Sequence, residues 1–268
     1  FANKKAGSNV ITARLKSDKL QLLNSTGLEV AGLTYPTSDG SSGQVLSTNG
    51  SGTLSFASVS GGPTHKEAGT NFTNSIMIGD STTGTLNSAE GNTGLGIDIF
   101  AALTEGDDNV AIGYKAANAL TTGTRNVFIG EEAGSIGTTT SYSVGIGRES
   151  LKNATGDNNT GVGYVALKGL TSGERNTAVG RSAMAGAVTG DGNNALGYGA
   201  LDALTSGSNN VGIGESALGA ITTGGNNIGI GHEALLAATS ESGQIAIGYK
   251  ALTDVHTNGN NTAIGYQA

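Results

Sequence analysis

The feature that most constrains this chain is a repeat seventeen residues long. "NNVGIGESAL" (209–218) is followed seventeen residues later by "NNIGIGHEAL" (226–235), and after the same interval by "GQIAIGYKAL" (243–252). Each copy closes a short apolar run on a glycine: Gly79, Gly96, Gly113, Gly130, Gly147, Gly163, Gly180, Gly197, Gly214, Gly231, Gly248 and Gly265. Ten of the eleven intervals between these twelve anchors are 17 residues, and the one from Gly147 to Gly163 is 16. A fixed period of this size describes stacked units, each too small to bury its own apolar surface.

The positions ahead of the anchor differ in chemistry. The residue immediately before it is aliphatic in all twelve copies, as in Ile112, Val162 and Leu196. The next one back is small in ten, with Met77 and Phe128 the exceptions, and the one before that is β-branched in eleven, with Asn194 the exception. Four before the anchor, nine copies carry asparagine: Asn92, Asn109, Asn126, Asn159, Asn176, Asn193, Asn210, Asn227 and Asn261. Ser75, Ser143 and Gln244 take the other three places. This pattern predicts a short strand entered through an asparagine and left through a glycine corner. The β-branched and aliphatic side chains share one face, and the small residue points the other way, where something packs close.

After the anchor, Ala-Leu recurs three and four residues on, as in Ala166-Leu167, Ala217-Leu218 and Ala251-Leu252. A polar Thr/Ser-Gly turn then leads to the next asparagine. The spacing fits a second short strand or one helical turn, and strand is the preferred reading. One unit thus makes one coil of an all-β parallel solenoid, or β-roll, of about twelve coils. With coils about 4.8 Å apart, the rod would be on the order of 60 Å long. The asparagines then lie one above another, forming a ladder that satisfies their amides from coil to coil. Seventeen residues enclose little volume, and aromatics are too rare to fill it. Several copies sharing a core along their axis solve the problem, which predicts a closed, symmetric homo-oligomer.

Composition narrows the function. The chain holds 46 glycines in 268 residues, more than twice the usual share of about 7 %, yet no Gly-X-Y triplet runs through it. The net charge of −7 is spread thinly, with no basic stripe to neutralise phosphates, so nucleic acid is not an expected partner. No run of 18 apolar residues is present, and no membrane insertion of this segment is expected. The absence of cysteine excludes disulfides and thiolate metal sites. With no initiator methionine and no signal peptide, the chain reads as a processed or partial piece of something longer.

No catalytic constellation stands out. Of the three histidines, His65, His232 and His256, His232 sits just after an anchor glycine, where other copies carry Tyr114, Glu131, Arg148 or Glu215, as expected of a solvated face. Gly-x-Gly occurs, but without the third glycine and following helix of a dinucleotide site. Asp107-Asp108, Asp157 and Asp191 lack the spacing of calcium-binding β-rolls and read as turn residues. The expectation is a non-enzyme with no cofactor and no metal. The same slot after the anchor carries Tyr114, Tyr164, Tyr198, Tyr249 and Tyr266. Exposed tyrosines can stack on sugars or anchor partners; they also suit any half-exposed strand face.

The motif in "DNVAIGYKA" (108–116) and "NNTAIGYQA" (260–268) resembles the repeats in the heads of trimeric autotransporter adhesins, the YadA-like group. The resemblance covers roughly residues 75–268 and implies left-handed parallel β-rolls, three chains sharing one core. The family's usual repeat is shorter, so the second half of each coil departs from its pattern. Residues 1–62 lack the period and read as a β-rich attachment or shaft segment, distinct from the repeats of 63–268. Within it, "GLEVAGLTYPTSDGSSGQVLSTNGSGTLSFASVS" (27–60) resembles segments of bacteriophage tail-fibre and virion fibre proteins. Such proteins often combine a segment of this kind with adhesin-head-like repeats, sometimes ahead of a self-cleaving chaperone domain. Together the resemblances imply a homotrimeric fibre on a virion surface or in an extracellular setting. Its implied partners are other virion proteins and a host-surface glycan or protein.

Overall fold

A computed structural model describes residues 13–16, 19–22, 29–30, 33–34, 44–48, 51, 53–58, 64–69, 71–79, 83–254 and 259–268. The chain divides into two units, Phe1–Gly62 and Pro63–Ala268. In the first, β1 (Ala13–Lys16) pairs antiparallel with β2 (Lys19–Leu22), β3 (Glu29–Val30) with β4 (Leu33–Thr34), and β5 (Gln44–Thr48) with β6 (Leu54–Ser58). Residues 35–43, between β4 and β5, and 59–63, after β6, lie outside the described residues.

The second unit is a parallel β-solenoid. It starts with an antiparallel pair, β7 (Thr64–Gly69) against β8 (Phe72–Gly79). A two-residue strand, β9 (Ala89–Glu90), also pairs with β8. From β10 (Thr93–Gly96) onward every neighbour is parallel, with one three-residue strand per coil from β11 (Val110–Ile112) to β20 (Thr262–Ile264). Each residue pairs with its counterpart one repeat on: Thr93 with Val110, Val110 with Val127, Ile245 with Thr262. With β8 and β10, strands β11 to β20 make twelve parallel strands, bounding eleven turns. Because β7 runs antiparallel, it covers the outer edge of β8 and stops the parallel stack there, as solenoid ends require.

The 16-residue coil leaves this register untouched, since Val144 pairs with Thr160. The missing residue comes out of the polar turn. Where one neighbouring coil has Thr171-Ser172-Gly173, the short coil has only Thr155-Gly156, and the amides of both donate to the Thr171 carbonyl at 2.8 and 3.0 Å.

The half of the coil after the anchor is neither strand nor helical turn, which corrects the expectation of a second strand. It is a run of tight turns. In the coil after Gly113, the Ala116 amide donates to the Gly113 carbonyl at 3.3 Å and the Leu120 amide to the Ala117 carbonyl at 3.2 Å. The residues two and four after the anchor are left-handed: Lys115 at φ +57° and Ala117 at +51°, Val165 at +53° and Leu167 at +51°. A type II turn demands positive φ at its third residue, and Lys115 is that residue. The strain is offset by bonds along the stack. Lys115 donates back to Ile97 O at 2.9 Å and Ala117 forward to Ala133 O at 2.9 Å.

These turns aim the Ala-Leu pair inward. Ala116, Leu120, Ala166, Leu167 and Leu170 are fully buried, as are the central strand residues Ala111, Ala178 and Ala246. The strand centre is small because leucine fills the space before it: a Cβ on Gly212 would stand 3.1 Å from Leu201 Cγ. The flanking aliphatics point away from this core. Leu95 and Leu196 are each 50 % exposed, and Ile146 and Ile213 each 37 %.

Candidate functional site

The asparagine column is a hydrogen-bonded spine. Asn92, Asn109, Asn126, Asn159, Asn176, Asn193, Asn210 and Asn227 are fully buried, and Asn261 is half-buried. An amide carries both an acceptor and donors, and each of the fully buried asparagines uses both. Asn92 Oδ1 accepts the backbone N–H of Asn109 at 3.0 Å and its Nδ2 at 3.0 Å, while Asn109 Nδ2 also donates to Gly123 O at 2.9 Å. The links continue without a gap from Ser75 to Asn261. Ser75 Oγ and Ser143 Oγ accept the next rung's amide at 2.8 and 3.1 Å, and Gln244 Oε1 does so at 3.0 Å. The substitutes therefore keep the acceptor, which is the essential half.

This fixes an expected result. Asn176→Ala leaves the buried Asn193 amide without the Oδ1 it meets at 2.9 Å and frees Gly190 O from its bond to Nδ2. The loss should be about 2–4 kcal/mol. Asn176→Ser should cost less, because serine already serves at position 143. Thermal unfolding of the two variants side by side checks the order.

Two further columns do similar work nearer the surface. Asp107 Oδ1 accepts the Glu90 amide at 2.8 Å, Asp157 Oδ1 that of Ser141 at 2.8 Å, and Asp191 Oδ1 that of Glu174 at 2.8 Å. The turn acids are thus occupied by neighbouring coils. Among the described residues no group of three or more histidines or acids stands together as a metal site. Threonines eight past the anchor form the third column, with Thr121 Oγ1 donating to Thr138 O at 2.9 Å and Thr222 Oγ1 to Thr239 O at 2.9 Å. Sequence reasoning missed both columns; reading the turns in register at the 17-residue interval would have revealed them.

Outside, the five tyrosines fall in one column with Arg148, Arg181 and His232. Arg181 lies between two rings, 5.7 Å from the centroids of Tyr164 and Tyr198. Arg148 covers the other side of Tyr164 at 5.8 Å and binds Glu131 at 3.1 Å. His232 stacks on Tyr249 with centroids 5.4 Å apart, and Tyr249 on Tyr266 at 5.1 Å, both interplanar angles 12°. Lys115 stands 5.1 Å from the Tyr114 centroid. Tyr164 and Tyr249 therefore each meet two neighbours along the column. A sugar seeking the face of Tyr164 would have to displace a guanidinium.

His232 is poorly placed as a base. Its Nδ1 is buried without a hydrogen-bond partner, and its Nε2 is 3.7 Å from Glu233. His256 lies outside the described residues. The most enclosed ion cluster brackets the short coil. Glu149, with a side chain only 10 % exposed, meets Lys168 at 2.6 Å and Lys152 at 3.4 Å, and Lys152 reaches Glu132 at 2.6 Å. The Lys168 hydrogen bond, followed by the Lys152 and Lys168 charges, holds the Glu149 carboxyl below the usual carboxylate range despite its burial. The cluster ties three successive coils where the repeat loses a residue.

What remains unsatisfied is the outward face of the sheet. The row that includes Ile112 is aliphatic at every rung, while the row that includes Val110 also carries Thr93, Thr160, Thr177, Asn194 and Thr262; both run up the solenoid half-exposed or exposed. An aliphatic row repeated at about 4.8 Å per rung is a continuous apolar edge of a kind that a monomer seldom leaves bare. No family model, curated protein or solved structure matches the chain.

Proposed function

We propose that this chain is a non-catalytic structural segment of a homotrimeric fibre, borne on a phage virion as a tail fibre or similar appendage and contributing to host attachment. The observation that carries the reading is the apolar stripe. A solenoid whose interior is already filled by alanine and leucine nonetheless places an aliphatic residue outward at every rung, immediately before each anchor glycine. Water-facing rows of that length call for a cover, and sister chains meeting along a common axis supply it with the same surface. Stacking then converts a short recurring code into a stiff rod. Other virion proteins and a host-surface glycan or protein are its partners in this reading.

Native mass spectrometry is the first test: a single species of three chains is expected, and a monomer overturns the proposal. Ile213→Lys sharpens it. A lysine there is tolerable on a lone solenoid, where Ile213 is 37 % exposed, but in a shared core three lysines meet at one level and assembly should be lost. A second reading, the head of a bacterial trimeric adhesin binding cells or matrix, is favoured by one point: the adhesin-like motif falls on the solenoid itself. Electron microscopy locating the protein on intact particles separates the two. A depolymerisation assay on host polysaccharide should show no activity.

A further inference from the structure

Two columns border the apolar stripe, one just before the ladder residue and one just after the anchor glycine. Taken coil by coil, Asp108 and Tyr114 share a level, then Arg125 and Glu131, Tyr142 and Arg148, Asn158 and Tyr164, Arg175 and Arg181, Gly192 and Tyr198, and Asn209 and Glu215. We infer that a second copy of this chain packs beside the first with its coils at the same height, so that Arg125 of one copy pairs with Glu131 of the next. This rests on the homo-oligomeric reading above and adds to it the alignment of the copies and the residues that set it.

The argument is one of symmetry and charge. A closed ring relates its members by rotation without translation, so the leading border of one copy meets the trailing border of its neighbour at the same coil. At the level of Gly130 the two borders carry unlike charges. Arg125 is 59 % exposed and Glu131 48 %, so both still present surface to a neighbour, although Glu131 meets Arg148 at 3.1 Å within its own chain. Arg125 touches Asp108 at 3.5 Å and the Tyr142 hydroxyl at 2.8 Å within its own chain. One level higher, Tyr142 faces Arg148, a cation over a ring.

Like charges meet only at Gly180, and there the chain neutralises them itself: Arg175 binds Glu174 at 2.7 Å and Asp191 at 3.2 Å, while Arg181 sits between two tyrosines. Sliding one copy by a coil in one direction sets Arg125 against Arg148 and Asp108 against Glu131. Sliding it the other way sets Arg125 against Tyr114 and Tyr142 against Glu131. Of these three alignments, the in-phase one alone opposes full unlike charges.

The test compares charge reversals at two levels in the full chain. Tagged and untagged assemblies are mixed and the exchange of chains is followed by native mass spectrometry, with circular dichroism to check that each variant keeps its β-structure. Arg125→Glu should speed exchange on the order of ten-fold, since a ring of three loses three border pairs. Arg125→Lys should keep the original rate. Arg175→Glu, which would face Arg181, should leave exchange unchanged or slow it. An original chain that is monomeric sinks the homo-oligomeric reading. An assembled chain whose exchange ignores Arg125→Glu, or responds equally to Arg175→Glu, overturns the pairing alone. Should Arg125→Glu fail to fold, Arg125→Gln gives the same comparison with a smaller expected acceleration.

Discussion

Gly163→Ala should be among the most damaging single-methyl additions this chain can suffer, at about 2–6 kcal/mol. Two costs combine. The backbone at Gly163 stands at φ +135°, and a Cβ built there would lie 2.5 Å from the carbonyl oxygen of Gly180, the next anchor along the stack. The first cost is conformational, since side chains resist that region. The second is steric, and it cannot relax locally, because the obstructing atom is backbone held in the parallel ladder. Gly199→Ser is the control. It is also left-handed, at φ +62°, but nothing lies nearer to its Cβ position than Ser216 Oγ at 3.8 Å. Ser182 and Ser216 already occupy the same slot in the adjacent coils, so the change should stay within about 1 kcal/mol. Hydrogen exchange at the rungs around Gly163, alongside thermal unfolding, distinguishes local fraying from loss of the whole stack.

The anchor glycine and the ladder asparagine were legible because each recurs at one place in the period and each has few chemical reasons to do so. A column of small residues between two branched ones likewise reads as a strand with a crowded side and an open side. The turns were not legible, for a physical reason. The sign of φ is not written in residue type at the slot two past the anchor, where Lys115, Glu132, Val165 and Ser182 are all left-handed. There the neighbouring coils, not local propensity, hold the conformation through bonds such as Glu132 N to Tyr114 O at 2.8 Å. The tyrosines were found in their column, and Arg148 and His232 with them, but the contacts these make with the rings were not. Arg148 and Arg181 look like departures from the tyrosine pattern until the 5–6 Å contacts show them filling the spaces between rings.

The exceptions prove as informative as the rule, and one of them makes the second large prediction. Phe128 breaks the small-residue column, and six residues later Gly134 breaks the inward leucine column. The two breaks are one adjustment. A Cβ on Gly134 would lie 2.6 Å from Phe128 Cδ1, and one on Gly145, in the next strand, 3.0 Å from the same atom. In regular coils that space belongs to leucine, as Leu201 shows beneath Gly212. Phe128→Ala alone should cost about 3–5 kcal/mol, because it empties a fully enclosed site. Gly134→Leu alone should also destabilise, since ring and side chain cannot share the volume. Made together, they restore the leucine beneath Gly145: leucine is accepted at the left-handed slot, where Leu167 and Leu201 already sit at +51° and +56°. The double variant should therefore be more stable than either single one, with a favourable coupling of about 1–3 kcal/mol. Additive losses in the double-mutant cycle would mean that the phenylalanine and the glycine were placed independently, and that a coil's interior is not a fixed volume to be filled from either side.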